Sequence, residues 1–258
     1  MQYIVEAQTD IGNVKKINQD SLAVKIADTD DGEVVMAVIC DGVGGLQNGE
    51  IASGSVVTAF GEWFCSEFPM LLVRGMSEQE LERLWKELIY RENKKIIRFG
   101  EERNIKLGTT ITAVLFWRDK YFVIHVGDCR LYQINEKIEQ LTKDHTFIAK
   151  QIELQKMTVQ EAEKDARKNM LLQCVGVVEN IQPDFYSGTI AENSIYLLCT
   201  DGLRHRITEE EICESCSPGK NKDESMMKRN LQNLITVVKD RDEMDNISAI
   251  MIRTQGDK

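Results

Sequence analysis

Proline is scarce in this chain, with three in 258 residues, and no stretch is rich in glycine and serine. Without a linker composition, one continuous domain over residues 1–258 is the expected organisation. No run approaches about 18 uninterrupted apolar residues, the length a membrane-crossing helix needs, so no membrane association is expected. The opening residues Met1–Asp10 lack a basic stretch leading into an apolar core, so no secretory signal is expected. Positive charge is in deficit. Lys and Arg number 32 against 42 Asp and Glu, a net charge of −10, which argues against a broad basic face for nucleic acid.

Cysteine is present but unpatterned. The seven thiols are scattered from Cys40 to Cys216, an odd count. Only Cys213 and Cys216 are spaced as a CxxC, and the second pair that a zinc site needs is missing, so this reads as coincidence. Reduced thiols and a cytoplasmic location are the expectation. What remains is 42% apolar and 29% charged, the composition of a soluble globular domain.

Periodicity places strands at Tyr3–Thr9, Ser21–Ala27 and Val34–Cys40, the last apolar throughout and hence buried on both faces. Helices follow at about Glu50–Phe68 and from the capping box Ser77–Glu80, with Leu81, Leu84, Trp85, Leu88 and Ile89 on one face. Strands resume at Thr110–Trp117, Tyr121–Val126, Arg130–Ile134 and Ile138–Leu141, joined by connectors short enough for antiparallel hairpins. The stretch Asp144–Asn169 is polar and helical, with a capping box at Thr158–Glu161. Strands at Ile181–Thr189 and Ser194–Thr200, a capping box at Thr208–Glu211, a helix over about Ser225–Lys239 and a strand at Ile247–Arg253 complete the chain. Strands in hairpin runs and helices in blocks predict antiparallel sheets with helices outside, not a parallel α/β sheet.

The informative feature is where aspartates meet strand ends. Val38-Ile39-Cys40 runs into Asp41-Gly42, Leu197-Leu198-Cys199-Thr200 into Asp201-Gly202, and Asp245-Asn246 precedes the run Ile247–Ile252. Val126-Gly127-Asp128 is a fourth case. A single Asp-Gly after a strand is usually a turn. Four acids at the lips of buried strands are placed to converge, and converging carboxylates repel unless cations sit among them. An all-oxygen set selects a hard ion, Mg²⁺ or Mn²⁺ before Ca²⁺. A second constellation, Gly12–Asp20, is a loop carrying Lys15 and Lys16 beside Asp20, and a cation beside a metal pair would hold an anion such as phosphate.

The order of these motifs resembles the PPM (type 2C) metal-dependent protein serine/threonine phosphatases, in their compact bacterial form. The resemblance rests on Gly12–Asp20 (GxVxxxNxD), Val38–Gly45 (VICDGVGG), Gly108-Thr109-Thr110, Val126–Tyr132 (VGDCRLY), Leu141–His145 (LTKDH), Leu172–Gly176 (LQCVG), Leu198–Leu203 (LCTDGL) and Asp245–Ala249 (DNISA). It implies an α+β fold, a four-layer α-β-β-α sandwich with two central antiparallel sheets, and a flap at about residues 146–170.

The resemblance also implies roles. Asp41 would bridge two Mn²⁺ or Mg²⁺ ions and the Gly42 carbonyl would bind one of them. Asp201 and Asp245 would bind the other, and Asp128 a possible third. Asp20 would support water on the metals, and Asn246 would orient its neighbouring aspartate. Lys15 stands where an arginine usually pairs with substrate phosphate. It keeps the charge but loses the two-pronged grip. Gln19 replaces a frequent glutamate, and Val43 stands where some relatives carry a histidine. The implied partners are proteins phosphorylated on serine or threonine and an opposing serine/threonine kinase, with the chain a monomer.

Rival chemistries fit less well. A cysteine phosphatase needs five residues between Cys and Arg, and Cys199 and Arg204 have four between them. Asp28-Thr29-Asp30 has the spacing of an aspartyl-phosphate motif but sits in an acidic turn. The alternative from another class is a catalytically weak relative that binds phosphoproteins as a regulatory module, for which Lys15 and Gln19 speak.

Overall fold

The computed structural model describes residues 1–43 and 48–256. Gly44 and Gly45, the end of the expected Val38–Gly45 motif, lie outside the described residues. The chain opens with β1 (Gln2–Asp10), β2 (Ser21–Thr29) and β3 (Gly32–Cys40), followed by α1 (Gly49–Ser66), α2 (Phe68–Arg74) and α3 (Glu78–Arg103). Next come β4 (Ile111–Trp117), β5 (Lys120–Val126), β6 (Arg130–Ile134) and β7 (Ile138–Gln140), then α4 (Phe147–Glu153) and α5 (Val159–Lys164). The remainder is β8 (Asp184–Thr189), β9 (Ile195–Cys199), α6 (Asp201–Arg204), α7 (Glu209–Ser215), α8 (Glu224–Asp240) and β10 (Ile247–Gln255).

The strands form two five-stranded antiparallel sheets, ordered β1-β10-β9-β6-β7 and β2-β3-β4-β5-β8. They stack face to face, giving the expected four layers. Val35, Ala37 and Ile39 of β3 point into the inter-sheet core with Leu198, Ile250 and Ile252. The alternate residues Met36, Val38 and Cys40 face Val56, Phe60 and Trp85 of the helices. That is why β3 is apolar without alternation: both of its faces are interior. A third core packs α7 and α8 on the other sheet through Ile212 of α7 and Met227, Leu231 and Leu234 of α8. Across the sandwich, the rings of Phe116 and Tyr196 meet edge to face at 4.9 Å.

Three element ends depart from expectation, each for a local reason. The helix expected over Glu50–Phe68 stops at Ser66, and α2 begins with Pro69 in its first turn, where a missing N–H costs nothing. The strand expected from Ile181 starts only at Asp184, because Pro183 has no N–H to give a ladder. Ser77 caps α3 through the Glu80 N–H, but the Glu80 carboxylate pairs with Arg74 instead of returning to close the box. The boxes at Thr158 and Thr208 are complete.

The stretch Gly49–Arg74 is 26 residues long and apolar enough to span a bilayer by length and composition, although charged residues interrupt it. In the fold, Ala52, Val56, Phe60 and Trp63 of this stretch are buried in the core shared with β3.

Strand register brings the acids to one end. Ser21 pairs with Cys40, so Asp20 and Asp41 sit side by side where β2 begins and β3 ends. Cys199 pairs with both Ala249 and Arg130, which brings Asp128, Asp201 and Asp245 to the matching end of the other sheet.

Candidate metal and phosphate site

A cavity of about 300 Å³ opens at this end, lined by Lys15, Asp41, Asp128, Asp201 and Asp245 together with Val43. The structure thus collects five of the residues singled out from the sequence. Three others, Gly42, Asp20 and Asn246, are not on its wall. Gly42 follows Asp41 in the chain, Asp20 is buried, and the Asn246 side chain bonds to the backbone of Ile11, Ile17 and Gln19.

Asp41 is fixed through its backbone. Its N–H donates to Thr110 Oγ1 at 2.9 Å, and its carbonyl accepts from the Thr110 N–H and the Thr109 hydroxyl, both at 2.8 Å. The Gly108-Thr109-Thr110 motif is therefore a clamp that leaves the carboxylate free to face the cavity. Gly42 next to it donates its N–H to the Gln19 carbonyl at 3.1 Å. A side chain there would meet Gln19 O and Gly49 C at 2.7 Å, so glycine is what lets three loops close around Asp41.

Gly202 plays the same part for the other sheet. A Cβ at this position would stand 2.0 Å from the Asn246 carbonyl, so only glycine lets α6 bring Asp201 beside the Asp245-Asn246 turn. Asp245 accepts from the Asn246 N–H at 2.8 Å and pairs with Lys15 Nζ at 2.9 Å. The Asn246 side chain does not orient that aspartate, contrary to expectation. Its amide donates to the carbonyls of Ile11 and Ile17 at 2.9 and 3.2 Å and accepts from the Gln19 N–H at 2.9 Å. With its side-chain dipoles spent on the Gly12–Asp20 loop, Asn246 positions the segment that carries Lys15.

The acids fare unequally. Asp20 Oδ2 accepts from Ser248 at 2.6 Å and Thr200 at 3.1 Å, while its Oδ1 is buried without a partner. Asp201 Oδ1 is likewise an orphan. Burial first, then Asp20 and Asp201, push the Asp41 carboxyl well above the usual carboxylate range. Burial with Asp201 nearby lifts Asp20 to about 7. Asp128 also rises to about 7 from burial and Asp201, even though Arg204 Nη2 approaches its Oδ2 at 3.4 Å. Burial opposes the charge on Asp201 too, but His205 Nε2 at 3.3 Å brings it down to about 2.

Orphaned carboxylate oxygens and mutually raised acids mark a site short of positive charge, and the donors are all hard oxygens. Among the described residues no three His, Cys, Asp or Glu side chains close on one point as a cage. A hard divalent ion held by one or two carboxylates and water needs no such cage. The residues therefore fit Mg²⁺ or Mn²⁺.

Sequence reasoning missed Arg204 and His205. Burial opposes the charge on His205, yet Asp201 and Glu243 raise it to about 9, so it is cationic. The available signal was spacing, since Asp201 and His205 are four residues apart at the start of a helix, where their side chains meet.

The description "Protein phosphatase 2C" belongs to the family model that matches residues 12–240. Serine/threonine phosphatase stp of Listeria monocytogenes is 28% identical over 212 residues, covering 81% of each chain. Protein phosphatase PhpP of Streptococcus pneumoniae is 29% identical over 207 residues, 79% of this chain and 80% of that one. Among solved structures, the serine/threonine phosphatase of S. agalactiae superposes with a TM-score of 0.85 at 26% identity, covering 98% of this chain and all of its own. The catalytic domain of the phosphatase PstP, solved in complex with two manganese ions, shares the fold at a TM-score of 0.77 and 24% identity.

Proposed function

The chain belongs to the protein phosphatase 2C family, and from that premise we propose that it is a metal-dependent phosphatase hydrolysing phosphoserine and phosphothreonine monoesters of proteins. The observation that carries the reading is the convergence of half-buried Asp41 and Asp201 and buried Asp128, under-compensated by cations, on the cavity that Lys15 and Asp245 share. Asp41, Asp201 and Asp245, with the Gly42 carbonyl, would hold two divalent ions, and Asp20 would accept hydrogen bonds from water beside them. When bound, such ions supply positive charge against the phosphoryl oxygens and acidify water, so that a nucleophile is available near neutral pH.

The chain's own residues do the rest. The clamp on the Asp41 backbone fixes its carboxylate before substrate arrives. Lys15, released from Asp245, is free to hold a phosphoryl oxygen as a point charge. Val43 on the cavity wall can give no proton to the leaving alkoxide. Thiol chemistry does not compete. Burial pushes Cys199 up to about 12 and Cys129 well above its ordinary value, so neither is a thiolate near neutral pH.

Two ions fit better than three, because Arg204 already sets a guanidinium against Asp128. Residues 1–258 are read as one catalytic domain. Its flap is the segment from Thr146, tied at its base by the Phe147 N–H to the Met170 carbonyl at 2.8 Å. A cytoplasmic, monomeric enzyme opposing a serine/threonine kinase completes the proposal.

Purified protein with Mn²⁺ should hydrolyse p-nitrophenyl phosphate and a phosphothreonine peptide, and EDTA should abolish both. Turnover that survives chelation would remove the metal-dependent reading.

A further inference from the structure

A second cavity, of about 400 Å³, adjoins the first and shares Lys15, Asn169 and Asp245 with it. Its walls differ in character. Lys168 and Arg206 bring two cations to the lining, one from the segment after α5 and one from the turn after α6. Lys168 is exposed and makes no ion pair with any described residue. Arg206 is half exposed and reaches Glu243 only at 3.8 Å. Against these stand Glu243 and Asp245, and Asp245 is already matched by Lys15. Val14 and Met244 supply apolar wall, 56% and 58% exposed. In a chain of net charge −10, a concave surface with surplus cations and bare apolar side chains beside the reaction cavity is out of keeping with its surroundings.

Resting on the phosphatase reading, we propose that this cavity is a specificity subsite for the substrate polypeptide, receiving an acidic side chain close in sequence to the phosphorylated residue. The carboxylate lies between Lys168 and Arg206, and the aliphatic part of the substrate packs on Val14 and Met244. An extended peptide advances about 3.4 Å per residue, so a phosphoryl group in the first cavity places a neighbour roughly two or three positions away in the second. The site thus selects acidic phosphopeptides although the enzyme as a whole is acidic. Lys168 and Arg206 touch no reacting atom. They set which substrate is held.

The test uses the full chain with Mn²⁺ and phosphothreonine peptides in an alanine background, glutamate replacing each flanking alanine in turn. The readout is the ratio of kcat/KM between glutamate and alanine peptides. At one or two positions the wild type should favour glutamate by about three- to tenfold, and the preference should shrink with added salt. Lys168→Glu and Arg206→Ala should each bring the ratio toward unity, and together reverse it. A variant that is merely misfolded loses activity on both peptides and leaves the ratio unchanged. A flat glutamate scan in an enzyme that hydrolyses p-nitrophenyl phosphate overturns the subsite alone, as does an unmoved ratio in both variants when each still hydrolyses p-nitrophenyl phosphate at the wild-type rate. Absence of p-nitrophenyl phosphate hydrolysis by the wild type overturns the phosphatase reading and the subsite with it.

Discussion

Asp41 and Asp144 are both half-buried acids at the same end of the sandwich, yet their surroundings treat them oppositely. Burial raises both. At Asp144 the Arg130 guanidinium answers with Nε at 2.9 Å and Nη2 at 2.8 Å, and Arg204 adds a second cation, so the carboxyl falls below the usual range. At Asp41 the neighbours are Asp20, Asp201 and Asp128, and the carboxyl rises. A buried acid with its own arginine is a structural tie, whereas one surrounded by other acids is a vessel for a cation from outside. The contrast separates scaffold from site without reference to any relative.

The contrast can be broken most sharply at Asp41. Asp41→Asn should lower turnover with Mn²⁺ by about a thousandfold or more, at least ~4 kcal/mol of transition-state stabilisation. In EDTA the same variant should melt no lower than the wild type, because it removes an uncompensated charge. A lower melting temperature in EDTA would mean that Asp41 is tied like Asp144. Arg130→Met tests the other side. It leaves Asp144 the Gln140 amide at 2.9 Å and Arg204 at 3.7 Å, and should cost about 3 kcal/mol in urea unfolding, the low end for a broken buried pair.

The tie extends to His125, packed under the same loop. Burial, with His145 beside it, lowers this ring to about 4. It bonds Thr112 Oγ1 at 2.9 Å and the Lys143 carbonyl at 3.1 Å. Between its unfolded value near 6.5 and about 4, the unfolded chain binds the extra proton. Stability from this group is therefore complete above pH ~6.5 and declines by about 3 kcal/mol as pH falls to ~4. Subtracting the pH profile of His125→Gln from that of the wild type should isolate this slope. An unchanged difference across that range would show the histidine to be already charged in the fold.

Mn²⁺ at a hundred times its dissociation constant should stabilise the wild type by about 2.7 kcal/mol, reversibly with EDTA, and stabilise Asp41→Asn far less. Equal stabilisation of both would place the ion elsewhere. The smallest effect is at Lys15, where arginine should lower KM for a phosphopeptide a few-fold by restoring a two-pronged contact. An unchanged or raised KM would put Lys15 away from the phosphate.

Much of this could be read in advance, because the signals are periodic or local. β3 announced its double burial by an apolar run, and the threonine boxes at 158 and 208 announced two helix starts. The acids at strand ends were visible as Asp-Gly pairs, and the structure adds why glycine follows: the second residue is crowded by another loop's backbone. What could not be read was contact across distance. Asn246 spends its amide on a loop more than 200 residues earlier, and Arg204 turns toward Asp128, 76 residues away. No spacing rule couples such positions. The second cavity was hidden for the same reason, its cations being supplied by separate turns.

The place of β10 in the first sheet governs when function can appear. It lies between β1 and β9, pairing Gln2 with Gln255 at one edge and Ala249 with Cys199 at the other. A nascent chain that has already emerged as far as α8 has a gap in that sheet and lacks Asp245. The first sheet is therefore closed only when its final strand has been made, and a chain cut short after α8 lacks both that strand and one wall of the cavity.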